Sequence, residues 1–363
     1  MRGPELASGW DDKPREACGV FAVYSPEGDI PSMAYLGAGD VQHRGQDSAG
    51  IGVGVPGKIL VHKSPGLVYE VFPDADSLAK LDPERTADFG IAHTLYSTSG
   101  AGDGLQPVIR QGDHGRSFAL AHNGHLEPAD GNGIGSHYSD TYWFADRISR
   151  HWSGETPIED AIEAACHQAV GAYSCTVLAQ EPSGYKILGF RDPNGFRPLE
   201  IGKLPDGGAV IASENGGFHR FKAEHFRSVE PGTIVSIDAT GMSSRRFAES
   251  VLRLCAFEAV YFARASSTVE GIRVNRARYD MGRLLAQQEA KLDADLVIGV
   301  PESGLRAAEG YARESGIPYA TGLERNRYVT RTFIKSHGIV DAVTLKQTPL
   351  LDVVQDRRLV VVD

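Results

Sequence analysis

The pattern of apolar segments changes once along this chain, between about residues 240 and 255. Before residue 238 the apolar runs are short and are separated by Gly, Pro and Asp, which predicts β-strands. Helical periodicity interrupts them at 140–148 and 158–170. Many strands with grouped helices indicate an α+β domain, in which helices cover a sandwich of sheets. The predicted strands are 19–24, 50–55, 89–96, 118–122, 173–179, 186–190, 209–212 and 233–237.

After residue 251 the order becomes helix (275–291), strand (294–300), helix (303–315) and strand (359–363). Alternating strands and helices are typical of a parallel α/β domain. The sequence therefore predicts a leader at 1–17, a first domain at 18–250 and a second domain at 251–363.

The last predicted strand ends the chain at Asp363. A buried parallel strand is normally followed by a helix that covers the sheet. We therefore expect the chain to be a fragment or a natural truncation.

Composition and charge narrow the class of protein. The chain has 363 residues, 41% hydrophobic and 23% charged, which is ordinary for a globular protein. A net charge of −10 without a Lys/Arg cluster argues against a nucleic-acid partner. No apolar run is long enough to span a membrane, and the N-terminus lacks the apolar core of a secretory signal. The four cysteines form no Cys-x-x-Cys pair, so we expect a reducing, cytoplasmic compartment.

Cys18 lies after a polar tail and at the head of the first predicted strand. If residues 1–17 were removed, Cys18 would carry a free α-amine beside its thiol. An adjacent amine can act as the base that activates a weak nucleophile. The alternative interpretation is a small buried residue that opens a strand.

Nine short segments are informative through their order along the chain. They are CGVF (18–21), QHRGQDSAG (42–50), HTLYSTSG (93–100), HNG (122–124), SDT (139–141), RDPNGFRPL (191–199), FEAVYFAR (257–264), VPESG (300–304) and NRYVTRTFI (326–334). In this order they resemble the amidophosphoribosyltransferase family of purine synthesis, and the likeness extends from about residue 11 to 363. The resemblance implies a four-layer N-terminal-nucleophile hydrolase domain of α+β class, followed by an incomplete α/β phosphoribosyltransferase domain.

For the first domain the resemblance implies a glutaminase. The Cys18 thiolate would attack the side-chain amide of glutamine, and Asn123 and Gly124 would bind the oxyanion that forms. Asp140 would hold the α-amine of glutamine, and Arg44 would brace the nucleophile loop. The residues alone also allow a hairpin turn at Asn123-Gly124, a helix N-terminal acid at Asp140 and a surface salt bridge at Arg44.

Leu95 departs from the family pattern, because relatives carry at this position an Arg that forks onto the glutamine carboxylate. A bidentate Arg–carboxylate contact is among the strongest polar contacts. We therefore expect that this glutaminase is weak, uses free ammonia or accepts another amide.

For the second domain the resemblance implies phosphoribosyl pyrophosphate as substrate, bound with Mg²⁺. Ser303 and Asp363 match the positions assigned to the metal, although Ser303 could equally be a helix N-cap. Arg327, Tyr328 and Arg331 fall in the segment that closes over the substrate in relatives.

Other positions depart from the family in the second domain. Thr330 replaces the usual Gly, and 346–349 lack the usual Asn. Relatives continue past Asp363 into a phosphate-binding loop, so we expect that the 363 residues as given do not transfer a phosphoribosyl group.

Cys255 matches a ligand of a 4Fe-4S cluster in some relatives. Such a cluster takes four thiolates, so we expect it only in a complete protein and no metal on Cys255 here. Cys166 and Cys175 fall in core patterns and are predicted to be packing residues.

The resemblance thus implies a glutamine-dependent amidophosphoribosyltransferase with glutamine and phosphoribosyl pyrophosphate as partners. A homo-oligomer is expected, without nucleic-acid or membrane partners. Two alternatives remain: an amidotransferase of a specialised pathway with another acceptor, and an inactive paralogue that regulates a complete enzyme.

Overall fold

The computed structural model describes residues 18–96, 104–112, 115–134, 139–290, 292–326 and 346–363. The chain divides into two compact units, Met1–Leu254 and Cys255–Asp363. The predicted leader at 1–17 lies outside the described residues. No helix in these described ranges is long and apolar enough to cross a membrane.

The first unit contains a seven-stranded antiparallel sheet. Its strands are β1 (Gly19–Tyr24), β2 (Ser48–Val55), β3 (Lys58–Pro65), β4 (Phe89–Leu95), β9 (Glu200–Lys203), β10 (Ala209–Ala212) and β11 (Glu224–Ser228). They are arranged in the order β11-β9-β10-β1-β4-β2-β3, so β1 is central and lies between β10 and β4.

A second antiparallel sheet has six strands in the order β13-β12-β8-β7-β6-β5. These strands are β5 (Val108–Gln111), β6 (Ser117–Pro128), β7 (Ala169–Glu181), β8 (Gly184–Arg191), β12 (Thr233–Asp238) and β13 (Gly241–Arg246). β6 and β7 are the longest strands and pair from Ser117↔Gln180 to Pro128↔Ala169.

Helices cover the outer faces of both sheets. They are α1 (Ile30–Val41), α2 (Val68–Val71), α3 (Ala75–Ala79), α4 (Asp140–His151) and α5 (Ile158–Cys166), with a 3₁₀ turn at Phe218–Phe221. α1 packs on the seven-stranded sheet, and α4 and α5 pack on the six-stranded sheet. The inner faces of the sheets form a third apolar cluster between them. The predicted four-layer α+β sandwich is confirmed.

The second unit is built around two parallel strands, β16 (Leu296–Gly299) and β19 (Leu359–Val362), and a helix that lies between them in sequence, α7 (Gly304–Ser315). β16 pairs with β19 from Leu296↔Leu359 to Gly299↔Val362. Ala308 and Tyr311 of α7 belong to the apolar cluster on this pair. This strand–helix–strand order is the predicted α/β arrangement. The elements are a π-helical turn (Glu258–Phe262), β14 (Thr268–Val269), β15 (Ile272–Arg273), α6 (Val274–Gln288), β16 (Leu296–Gly299), α7 (Gly304–Ser315), β17 (Leu323–Arg325), β18 (Gln347–Pro349), α8 (Leu351–Val354) and β19 (Leu359–Val362).

Candidate active site

Cys18 directly precedes the central strand β1 and is 5% exposed. The backbone N–H of Tyr96 donates to Cys18 Sγ at 3.5 Å. A hydrogen-bond donor aimed at sulfur stabilises negative charge there. At Gly19 an added Cβ would lie 2.6 Å from Thr94 Oγ1 and from Val41, so only glycine fits directly after this cysteine.

Arg44 is buried and forms an ion pair. Its Nε donates to Glu214 Oε1 at 2.5 Å, and the side chains of Arg44 and Glu214 are 0% and 3% exposed. His43 Nε2 lies 2.7 Å from the same carboxylate oxygen. The surface salt bridge considered from the sequence is therefore wrong, because both side chains of the pair are buried.

Glu214 is fixed to the strand that follows Cys18. The preceding residue, Ser213, accepts from the Val20 N–H through Oγ and donates its own N–H to the Val20 carbonyl, both at 3.0 Å. These two hydrogen bonds hold the Arg44–Glu214 pair beside the start of β1. The sequence analysis missed Glu214, although a lone acid at the end of the apolar run AVIAS is an available signal.

Asn123 and Gly124 lie inside β6 and do not form a turn. They pair with Ser174 and Tyr173 of β7, and the pairing continues to Pro128. The hairpin-turn alternative is therefore wrong, because β6 stays paired with β7 on both sides of these two residues. Gly124 has φ 143°, and an added Cβ would lie 1.9 Å from Ala172 O, so this position requires glycine.

The Asn123 side chain is fully buried, and neither of its amide atoms has a hydrogen-bond partner among the residues that the structure describes. Leaving a buried polar group unpaired costs about 1–3 kcal/mol. Such a group is expected where a ligand or transition state completes the bonding.

His93 connects the strand beside β1 to the strand of Asn123. It lies opposite Val20 in the β1–β4 pairing. Burial lowers the pKa of His93 to about 3, so the ring is neutral. We assign the proton to Nε2, which lies 3.0 Å from the carbonyl oxygen of His122, the residue before Asn123.

Asp140 is the first residue of α4 and faces β6. Its Oδ1 accepts from the Thr141 N–H at 2.7 Å, and its Oδ2 accepts from the Leu126 N–H at 3.3 Å. The imidazoles of His122 and His125 lie within 3.9 Å of the carboxylate. Asp140 is thus a helix N-terminal acid and also lies beside the Asn123–Gly124 strand.

In the second unit Ser303 Oγ donates to Asp363 Oδ1 at 2.8 Å. Ser303 is the N-cap residue of α7, as the alternative interpretation has it, but its side chain makes no capping hydrogen bond within the described residues. An added Cβ at Gly304 would lie 2.1 Å from Val362 O, which explains the close approach of the two segments. Hydroxyl and carboxylate oxygens are the donors that Mg²⁺ accepts, so the pair fits this ion chemically.

The remaining predicted site residues are less defined. Arg327, Tyr328, Thr330 and Arg331 lie outside the described residues.

Cys255 is partly buried and is the only cysteine in residues 255–363. Four thiolates are needed for a 4Fe-4S cluster, so the residues of this unit do not fit one.

Cys166 and Cys175 are buried in the first unit's core, as predicted for packing residues. Burial raises the pKa of Cys166 to about 12 and that of Cys175 well above its usual value. Neither thiol is suited to ligation or nucleophilic attack.

Comparisons with known proteins agree on one family, although a scan against protein-family models found no match. The chain is 39% identical over 370 residues to the amidophosphoribosyltransferase of Mycobacterium bovis, covering 97% of this chain and 68% of the relative. A solved structure of the allosteric regulatory enzyme of purine biosynthesis aligns with a TM-score of 0.82 and 37% identity, over 95% of this chain and 74% of that chain. The glutamine phosphoribosylpyrophosphate amidotransferase from B. subtilis, complexed with ADP and GMP, aligns with a TM-score of 0.81 and the same identity and coverage.

An N-terminal-nucleophile hydrolase sandwich followed by a phosphoribosyltransferase-type α/β unit defines a two-domain class of transferase. The chain belongs to the amidophosphoribosyltransferase family.

Proposed function

We propose that this chain supplies the glutaminase unit, and the second unit as far as Asp363, of a glutamine-dependent amidophosphoribosyltransferase of de novo purine synthesis; it spans 68% of the length of the Mycobacterium bovis relative. That enzyme would transfer the amide nitrogen of glutamine to C1 of phosphoribosyl pyrophosphate, displacing pyrophosphate and forming phosphoribosylamine. Family membership supports this reaction. The single observation that supports amide chemistry on this chain is the buried Asn123 amide beside Gly124, which has no hydrogen-bond partner among the described residues. The named relatives do not favour a different acceptor or an inactive paralogue.

The glutaminase step begins when removal of residues 1–17 frees the Cys18 α-amine. The amine takes the thiol proton, and the thiolate attacks the amide carbon of glutamine. The oxyanion accepts hydrogen bonds from the Asn123 side chain and the Gly124 N–H. The protonated amine then gives its proton to the departing nitrogen, so ammonia leaves and a thioester remains. Water hydrolyses the thioester to glutamate and restores the thiol.

Two further residues act on binding and alignment in this proposal. Asp140 accepts the α-ammonium group of glutamine and so orients the side-chain amide toward Cys18. Arg44, held by Glu214, keeps the nucleophile loop fixed beside β1. Neither residue exchanges a proton with the amide.

In the second unit Ser303 and Asp363 would hold Mg²⁺, which would neutralise charge on the pyrophosphate leaving group. Arg327 and Arg331 would contact the phosphate oxygens of the substrate, and Tyr328 would belong to the same substrate-covering segment. A homo-oligomer, a cytoplasmic location and the lack of nucleic-acid and membrane partners stay predictions.

The test is labelling by a glutamine-analogue electrophile such as 6-diazo-5-oxonorleucine, read by mass spectrometry of the purified chain. We expect a mature N-terminus at Cys18, one label on the Cys18 peptide, and glutamate release that Cys18→Ala abolishes. Cys255 is an internal control, since it is the described cysteine that is not buried and it should stay unlabelled. A retained Met1 with no label on Cys18 would contradict the proposal.

A further inference from the structure

We propose that Gln106 is a positioning residue that aligns the oxyanion-binding strand with the carboxylate that receives the α-amine of glutamine. This inference rests on the proposed function and adds a residue that no family motif quoted above contains. Gln106 contacts neither Cys18 nor glutamine in this proposal, and it acts through the residues next to Asn123 and Asp140.

One side-chain amide joins two elements of the site. Gln106 is 4% exposed. Its Oε1 accepts from the His122 N–H at 2.7 Å, and its Nε2 donates to Thr141 Oγ1 at 3.1 Å. His122 immediately precedes Asn123, and Thr141 immediately follows Asp140. Both ends of the Gln106 amide are therefore used, each beside a different proposed glutamine contact.

The bond to His122 replaces a missing strand contact. β5 pairs with β6 only from Gln111↔Ser117 to Val108↔Leu120, so β6 loses this neighbour just before His122. The side-chain oxygen of Gln106, Oε1, supplies the next acceptor along that edge. Without it the buried His122 N–H would lack this bond, and leaving a buried donor unpaired favours a shift of the strand.

The Gln106 backbone is itself held firmly on the other sheet. Lys63 Nζ donates to the carbonyls of Leu105 and Pro107, both at 2.9 Å. Burial lowers the pKa of Lys63, in keeping with a site largely removed from water. At Gly50 an added Cβ would lie 2.1 Å from Gln106 O, so the segment rests directly on β2. The backbone that carries the Gln106 side-chain amide is therefore held in place on both sides of that residue.

A third contact closes the network, because His122 Nδ1 lies 3.1 Å from Thr141 Oγ1. Gln106, His122 and Thr141 form a buried triangle between β6 and the N-terminus of α4. Loss of Gln106 should move both attached elements. Misplacing a reacting group by about 1 Å can lower the rate about 100-fold. The expected signature is a joint change in kcat and KM, whereas Asn123→Ala should act mainly on kcat and Asp140→Asn mainly on KM.

The experiment compares steady-state glutaminase kinetics of the matured wild-type protein, Gln106→Met and Gln180→Met. Gln180 is a matched control, because its Oε1 accepts from Ser117 Oγ at 3.0 Å at the far end of the same β6–β7 pair. We expect Gln106→Met to lower kcat about tenfold or more and to raise KM for glutamine severalfold. Gln180→Met should stay within about twofold of wild type.

A conservative variant separates positioning from general damage. Gln106→Glu keeps an acceptor for the His122 N–H, so it should recover most of the kcat that Gln106→Met loses. If Gln106→Met does not fold, Thr141→Val removes the acceptor of Gln106 Nε2 and is expected to raise KM with little change in kcat.

The inference is overturned if Gln106→Met retains wild-type kinetics, if Gln180→Met is impaired equally, or if Gln106→Glu recovers nothing. When Gln106→Met does not fold, unchanged KM in Thr141→Val overturns it. Absence of glutamate release from the matured wild-type protein would instead overturn the proposed function, and this inference with it.

Discussion

His93 and His122 join the two sheets of the first unit, because the His93 Nε2–H donates to the His122 carbonyl at 3.0 Å. The contact holds the strand next to β1 against the strand of Asn123. It depends on a neutral ring, and burial supplies this by lowering the pKa of His93 to about 3.

Acid should therefore weaken the first unit through His93. Between pH 6.5 and 3 the unfolded chain binds a proton on His93 that the folded chain does not. The free energy of unfolding is therefore unaffected by His93 above about pH 6.5. Below that pH, protonation of His93 in the unfolded chain lowers it by roughly 1.4 kcal/mol per pH unit. His93→Gln should flatten that decline when urea unfolding is measured from pH 7 to 5. His167→Gln, at an exposed histidine, is the control and should keep the wild-type slope.

Asn123 should contribute to catalysis and not to stability. Asn123→Leu removes, at similar volume, two buried polar atoms that have no partner in the described part of the chain, so the free energy of unfolding should be unchanged or rise by about 1 kcal/mol. Glutaminase kcat should fall about 100- to 1000-fold, as when one oxyanion donor is lost.

Ser174→Ala is the matched control for Asn123→Leu. Ser174 is the cross-strand partner of Asn123, is fully buried and has an unpaired hydroxyl among the described residues. Its removal should leave kcat within about threefold. Equal kcat in Asn123→Leu and wild type would contradict the oxyanion role.

Breaking the buried Arg44–Glu214 pair should destabilise the first unit strongly. Glu214→Gln leaves the guanidinium without its carboxylate, and losing one partner of a buried pair costs about 3–5 kcal/mol. Tryptophan fluorescence during urea unfolding reports this unit, since Trp143 and Trp152 lie in its core.

The exposed Arg246–Glu230 pair provides the comparison, with side chains 56% and 58% exposed. Glu230→Gln should change the free energy of unfolding by less than about 1 kcal/mol. A similar decrease in the free energy of unfolding in Glu214→Gln and Glu230→Gln would contradict the prediction that the buried pair contributes more to stability than the exposed pair.

Leu95→Arg should improve glutamine binding. Leu95 ends β4 opposite Ser48, and its side chain is half-buried. A hydrogen-bonded contact to the glutamine carboxylate contributes about 1.5–3 kcal/mol, so KM should fall about 10- to 100-fold. Leu95→Met keeps an uncharged side chain and should leave KM as it is. An unaltered KM in the arginine variant would refute the idea that Leu95 weakens this site.

Strands made of continuous apolar runs between turn residues could be read from the sequence. The predictions at 19–24 and 209–212 match β1 and β10. The helix predicted at 158–170 is too long, because Ala169 begins β7 and already pairs with Pro128 of β6, so the chain must leave the helix at Cys166. Tertiary pairing overrides periodicity there.

Helix α1 was missed, although Asp29 accepts from the Ser32 N–H and Pro31 lies in the first turn, which is a recognisable start signal. The glycines inside it obscure the helical pattern. Gly37 is there for packing, since an added Cβ would lie 2.5 Å from the Phe21 ring.

The candidate site was only partly accessible to sequence reasoning. Cys18, Asn123 and Asp140 belong to short motifs whose order indicates their roles. Glu214 and Gln106 carry no motif, because each acts through a distant partner. Glu214 binds Arg44 170 positions away, and Gln106 reaches His122 across 16 and Thr141 across 35. Such pairs become visible only when the sheets are assembled.

The crowding around Gly19 has a practical consequence for recombinant production. Thr94 and Val41 occupy the space that any larger side chain at Gly19 would need. The residue after the nucleophile must therefore stay glycine, and a nucleophilic cysteine cannot be placed at position 19 instead of position 18. Affinity tags and protease sites must instead be placed so that trimming stops directly before Cys18.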